Sequence, residues 1–62
     1  MEQGNYQIEF YRDGIRIGYP EPFTGFRLNA EHHALRKGRR SNADFVRVLD
    51  DGLEFWSERL DA

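Results

Sequence analysis

The first third of the chain alternates apolar and polar residues, which is the pattern of a β-hairpin with one buried face. Asp13-Gly14 interrupts this alternation, and Asp-Gly suits the positive φ angles of a type I′ turn. We therefore expect strands at about 5–12 and 15–19, ended by Pro20-Glu21-Pro22. The predicted buried face pairs Arg12 with Ile15, Phe10 with Ile17 and Ile8 with Tyr19. The predicted opposite face carries Gln7, Glu9, Tyr11, Arg16 and Gly18.

The middle of the chain changes to a helical pattern. After a connection over 23–28, Asn29 is a predicted N-cap and Glu31 suits the first turn, which gives a helix over about 29–40. Gly38 weakens its last turn, and Asn42 is expected to take the left-handed conformation beyond its end. The thin apolar stripe of this helix comprises Leu28, Ala30, Ala34 and Leu35 with part of His32.

A second Asp-Gly pair predicts another hairpin, with strands at roughly 44–50 and 53–59. A two-residue turn at Asp51-Gly52 would bury Val46, Val48, Leu53 and Phe55, whereas a three-residue loop over 50–52 would bury Phe45 and Leu49 with Leu53 and Phe55. In either register we expect Glu54, Trp56 and Glu58 to point outward. The fold predicted is α+β, a small antiparallel sheet from two hairpins in ββαββ or βαββ-like order, with one helix packed on one face.

Composition supports one small folded domain spanning 1–62, with 39% hydrophobic and 15% aromatic residues. There is no cysteine, which favours a reducing cytoplasm, and no apolar run approaches the length of a membrane span. A core this small leaves self-association open, so we expect a monomer or a homodimer. The net charge of −2 is unevenly distributed, because 30–40 is basic and 41–62 is acidic.

The leading candidate site is the predicted outward strip of Glu54, Trp56 and Glu58, joined by Tyr11 on the same face. An exposed tryptophan ringed by charge is typical of a protein interface. The alternative is that Trp56 packs at a sheet edge or stacks on Arg47.

Carboxylates dominate the C-terminal segment and could imitate the phosphates of DNA, although solvated surface charge is the simpler interpretation. They are Asp44, Asp50, Asp51, Glu54, Glu58 and Asp61.

The basic cluster Arg36, Lys37, Arg39 and Arg40 could bind nucleic acid, or could simply face the negative end of the helix dipole. His32-His33 is a poor metal pair, since adjacent helical residues point about 100° apart. Thr24, Ser41 and Ser57 lie in no nucleophile-plus-base arrangement. We therefore expect no enzyme activity, no cofactor and no metal site.

The C-terminal stretch over 42–59, with its strand, Asp-Asp-Gly turn and Glu-Phe-Trp-Ser-Glu-Arg ending, resembles the tail of short bacterial proteins with a strand, helix and hairpin layout. In size, acidity, lack of cysteine and α+β layout, the whole chain resembles small phage-borne anti-CRISPR inhibitors of type I systems. That resemblance implies a protein that binds subunits of the CRISPR effector complex and blocks target-DNA recognition, in some cases as a DNA mimic.

These patterns predict a non-catalytic, cytoplasmic protein-binding inhibitor, with a CRISPR effector subunit as the expected partner. The expected contact residues are Trp56, Glu54, Glu58, Asp50, Asp51 and Tyr11. The alternative is a small nucleic-acid-binding or regulatory protein that uses Arg36, Lys37, Arg39 and Arg40.

Overall fold

The computed structural model describes residues 3–60 and shows one antiparallel sheet of five strands with a single helix. The elements are β1 (Gly4–Arg12), β2 (Ile15–Arg16), β3 (Glu21–Gly25), α1 (Arg27–Arg40), β4 (Phe45–Asp50) and β5 (Leu53–Arg59). The sheet order is β2-β1-β4-β5, and β3 also pairs with β1. The predicted α+β class with a helix between two hairpins is confirmed.

The first hairpin turns where the sequence predicts. Asp13 and Gly14 have φ angles of 53° and 79°, as a type I′ turn requires, and Arg12 pairs with Ile15. The other edge of β1 pairs with β4 along its length, so β1 lies inside the sheet. Its alternate residues Tyr6, Ile8 and Phe10 face the helix and form much of the core.

The return strand of this hairpin is broken, which the sequence did not predict. Opposite Ile8 lies Glu21 rather than Tyr19, because the chain leaves the sheet at Gly18, whose φ is +65°, and rejoins β1 at Glu21 with the register shifted by two residues. Tyr19 is consequently 90% exposed. The prediction that Pro20-Glu21-Pro22 ends the second strand is also wrong, because β2 already ends at Arg16 and Glu21 begins β3. Pro22 of β3 pairs with Gln7 of β1, at an edge where its missing N–H is tolerated.

The helix begins earlier than predicted. Phe26, an extended residue, is the N-cap, and its carbonyl accepts a hydrogen bond from the Ala30 N–H, so Asn29 is inside the helix and caps nothing. Leu28 is 59% exposed instead of lying on the apolar stripe, whereas Ala30 and Ala34 are buried as expected. Asn42 has the predicted left-handed conformation, with a φ of 63°.

The second hairpin contains the two-residue turn, and the three-residue alternative is wrong. Asp51 and Gly52 have φ angles of 54° and 82°. Asp50 pairs with Leu53 across the turn. Val46 and Val48 are fully buried as predicted, but Leu53 is 75% exposed because it lies at the end of the sheet beyond the core.

A β-bulge in the second hairpin changes which residues share a face. Val48 lies opposite Trp56 while the adjacent Leu49 lies opposite Glu54, so Phe55 is an extra residue in β5. Phe55 and Trp56 both pack against the core on the helix side. The prediction that Trp56 points outward is therefore wrong, as it is for Glu58, which lies opposite buried Val46.

Candidate functional site

The helix covers only part of its side of the sheet. α1 packs chiefly against β4, β1 and β3, and it is fastened towards β3 by His33 and Lys37, which both contact the Glu21 carboxylate. At 100° per residue, the flank opposite these two side chains carries Leu28, Glu31 and Leu35 and faces β5. The helix therefore covers the helix-side surface of β5 only in part, and this surface lies at the edge of the core.

We call this region the α1–β5 margin, and its apolar part combines half-buried rings with exposed leucines. Phe55 and Trp56 are half-buried, while Leu28 and Leu53 are 59% and 75% exposed. The Phe55 ring packs against Tyr6 with centroids 5.3 Å apart. The Arg27 guanidinium lies over the Phe55 ring, 4.1 Å from its centroid. These contacts fix the orientation of Phe55, and the neighbouring leucines offer apolar surface.

The margin is also acidic. Glu58 shares the helix side of β5 with Trp56, and Asp50 and Asp51 lie at the turn beside Leu53. None of these three carboxylates forms an ion pair with another residue of the range 3–60. The apolar part of the margin is therefore bordered by carboxylates without cationic partners in the described chain. Asp61, another residue of the predicted acidic set, lies outside the described residues.

The opposite face of the sheet is organised around Glu9, which is only 8% exposed. Its Oε1 accepts hydrogen bonds from the Tyr11 hydroxyl at 2.6 Å and from Arg47 Nε at 2.7 Å. Arg16 lies 3.8 Å from Oε2, and Arg47 also reaches Glu54 at 3.4 Å. Burial disfavours the Glu9 carboxylate, but these hydrogen bonds and positive charges together hold its pKa below the usual value.

On this open face, the polar and charged groups of the Glu9 network are paired with one another. The hydrogen bond to Glu9, together with burial, raises the pKa of Tyr11. The Tyr11 ring contacts Phe45 edge-on at 5.8 Å, and Arg47 lies 5.6 Å above it. The predicted alternative that Arg47 stacks on Trp56 is therefore wrong, whereas packing of Trp56 near the sheet edge is what the structure shows. Tyr11 and Glu54 lie on the face opposite Trp56.

The predicted basic cluster is divided between two sides of the helix. Lys37 points towards β3, where it donates a hydrogen bond to the Glu21 carboxylate. This hydrogen bond lowers the pKa of Glu21, burial acts to raise it, and His33 lowers it further, so the pKa lies below its usual value. Helical spacing places Arg36, Arg39 and Arg40 on the solvent face, and none of them forms an ion pair within residues 3–60. His32 is exposed on this face, away from His33.

No catalytic arrangement is apparent in the described part of the chain. A cavity of about 540 Å³ between the β1–β3 pair and the second turn includes Thr24, whose hydroxyl donates to Asn5 Oδ1 at 2.9 Å rather than meeting a base. A cavity of about 430 Å³ lies beside the first turn and includes Asp13, Asp44 and Arg59. Residues 3–60 contain no group of three His, Cys, Asp or Glu side chains placed to hold a metal ion.

Over the described range, no helix combines the length and apolarity that a membrane crossing requires. The chain matches no protein-family model, curated protein or solved structure.

Sequence reasoning missed the α1–β5 margin because it assumed unbroken alternation in β5. The adjacent aromatic residues Phe55 and Trp56 were the available signal, since two large apolar side chains in succession cannot both face the core of a regular strand. The bulge at Phe55 allows both rings to pack against the core. No sequence pattern indicated that the helix would be held towards β3. That position depends on Glu21 lying opposite Ile8, from where it contacts His33 and Lys37.

Proposed function

We propose that this chain is a non-catalytic protein-binding inhibitor whose partner docks on the α1–β5 margin, with Trp56 as the central contact. The observation that carries the proposal is the group of half-buried Phe55 and Trp56 with exposed Leu28 and Leu53. Interfaces concentrate their binding energy in such aromatic anchors. Because these rings are already held by packing against the core, they lose little conformational freedom on binding. Tyr11 and Glu54, on the opposite face, are not part of this docking surface.

The negative charge of the margin indicates the charge of the partner surface. Asp50, Asp51 and Glu58 present carboxylates around the apolar centre, and a basic protein surface would complement them. Nucleic-acid-binding assemblies carry basic surfaces where they contact phosphates. Together with the resemblance to anti-CRISPR inhibitors, this makes a subunit of a type I CRISPR effector complex the proposed partner. The proposal places the protein in the cytoplasm, the compartment that a cysteine-free sequence favours.

Capture by an immobilised, purified type I effector complex tests the docking surface. Leu53→Glu places a charge within the margin without disturbing the core, and we expect its affinity to fall by about tenfold or more. Ile15→Glu is the matched control, because Ile15 is 72% exposed but lies at the other edge of the sheet. Equal capture of wild type and Leu53→Glu would rule out the margin, and no capture of wild type would rule out this partner.

A charge-reversal pair on one strand separates the two faces of the sheet. Glu58→Lys changes the margin, whereas Glu54→Lys makes the same chemical change on the open face. We expect only Glu58→Lys to weaken capture, with both variants retaining the wild-type circular dichroism spectrum. A loss confined to Glu54→Lys would move the docking surface to the open face. Since Trp56 is the only tryptophan, its fluorescence reports directly on occupation of the margin.

A second candidate function is nucleic-acid binding by the solvent face of the helix. Arg36, Arg39 and Arg40 share that face and have no acidic partner within residues 3–60, which favours contact with phosphates. This candidate predicts retardation of DNA or RNA that weakens steeply with salt and is lost in Arg39→Ala/Arg40→Ala. Absence of retardation at low salt would exclude it.

A further inference from the structure

We propose that the partner supplies an extended, basic segment that adds to β5 as a further antiparallel strand. This inference rests on the proposed function and deepens it, because it specifies how a protein partner engages the α1–β5 margin. β5 is the last strand in the order β2-β1-β4-β5, and six of its seven residues pair with β4, on one side only. Strand addition to such an edge supplies affinity through main-chain hydrogen bonds and specificity through alternate side chains.

The hydrogen-bond directions along β5 identify where the added strand would bind. The Leu60 N–H donates to the Asp44 carbonyl at 2.9 Å, so the amide just beyond β5 points towards the β4 side. N–H groups alternate in direction along an extended chain, which places the N–H of Glu58 towards β4 and that of Ser57 towards the outer edge. Ser57 is therefore a backbone contact for an incoming strand.

The two edges of the sheet are unequal in their capacity to accept another strand. On the far side, the return strand is split into β2 and β3, with a two-residue change of register between them. Tyr19 projects from that break, and Pro22 lacks an N–H. Such interruptions are common ways to block an edge. β5 has a bulge at Phe55 but continues as a strand through Arg59.

The side chains of β5 favour a basic occupant over a second copy of the chain. A strand added beside Trp56 and Glu58, which share the helix side of β5, would place one side chain against the indole and a second, two positions along, against the carboxylate. This suits an apolar residue and a lysine or arginine separated by one intervening residue. A second copy pairing through the same strand would instead bring Glu54 and Glu58 with a single Arg59, so two edges of the same net negative charge would meet.

Ser57→Pro tests strand addition directly. Proline removes the outward N–H while leaving the β4-facing hydrogen bonds of Glu58 and Leu60 in place, and Ser57→Ala is the matched control that retains the N–H. The probe is a synthetic heptapeptide with valine and lysine alternating at every second position and threonine between them, so that one face carries both residue types, and binding is followed by Trp56 fluorescence. We expect saturable binding to wild type and Ser57→Ala, and binding about tenfold weaker to Ser57→Pro. The same peptide with glutamate in place of each lysine should not bind.

The outcomes distinguish failure of this inference from failure of the proposed function. Unchanged peptide binding by folded Ser57→Pro, or no binding of the basic peptide to wild type, overturns strand addition. If effector capture remains sensitive to Leu53→Glu in that case, docking on the margin still stands. A concentration-dependent dimer of the wild type that Ser57→Pro abolishes would assign the edge to a second copy and overturn the basic segment. Retained circular dichroism and thermal unfolding establish that Ser57→Pro folds.

Discussion

Gly38 lies at a tight contact between the helix and the sheet, and this contact depends on its lack of a side chain. A Cβ at Gly38 would lie 2.7 Å from Val46 Cγ1 and 2.6 Å from Leu60 Cδ1. Val46 is fully buried and β-branched, so it has little freedom to move. The sequence indicated only that glycine weakens a helix, whereas the structure shows that it permits packing.

We expect Gly38→Ala to destabilise the protein by about 1–2 kcal/mol, although alanine is the better helix former. The overpacking against Val46 exceeds the gain in helix propensity. Urea unfolding followed by circular dichroism measures the change. Arg39→Ala in the same helical turn is the control and should stay within about 0.5 kcal/mol of wild type, because Arg39 is exposed. A more stable Gly38→Ala protein would contradict the close helix–sheet contact.

At the scale of elements, the hairpin turns are determined locally. Both Asp-Gly pairs adopt positive φ angles at their two central residues, and both form two-residue turns, as predicted for the first hairpin and as one of the two alternatives for the second. A Cβ at Gly52 would have no atom within 4 Å, so its φ of +82° is the only constraint at that position. The requirement for glycine is thus conformational at Gly52 and steric at Gly38.

Gly52→Ala should therefore cost about 1–2 kcal/mol through backbone strain alone, with little change in the folded contacts. Asp51→Asn, at the preceding turn residue, should be neutral or slightly stabilising because Asn-Gly is the preferred type I′ pair. Thermal unfolding of both variants provides the comparison. An unaltered melting temperature in Gly52→Ala would mean that the turn can adopt another form at no cost.

Elements that depend on contacts distant in sequence were less predictable. The break at Gly18 and Tyr19 shifts the return strand by two residues and so places Glu21 opposite Ile8, where it meets the helix. From that position it contacts Lys37 and His33. No local pattern around Pro20 predicts this, because the contacts join residues separated by 12 and 16 positions.

At the scale of the whole molecule, two carboxylates link the stability of the fold to pH. Glu9 connects β1 to Arg47 of β4, and Glu21 connects β3 to the helix, and both have lowered pKa values in the folded protein. A carboxylate with a lowered pKa stabilises the folded state above its unfolded pKa, here 4.5, and this contribution is lost as pH falls through the lower folded value.

We expect the free energy of unfolding to decrease below about pH 4.5 and to decrease less steeply in Glu9→Gln. At neutral pH the same substitution should cost about 1–2 kcal/mol, because Arg47 and Tyr11 lose their charged acceptor. Denaturant unfolding between about pH 2 and 7 tests both statements. Glu58→Gln, which removes an exposed carboxylate with no ion pair in the range 3–60, should retain the wild-type slope.

The sequence alone determined the fold class, the positions of the two Asp-Gly turns and the burial of Ile8, because backbone conformation and alternation act over a few neighbouring residues. It left open the length of the second turn, and the structure decided this length and with it the burial of Val46 and Val48. Only the tertiary structure decided the position of Trp56. Its side of the sheet depends on a bulge at Phe55, and a one-residue irregularity reverses the facing of a strand. Its partial exposure depends on the helix, which Glu21 draws towards β3 and away from β5.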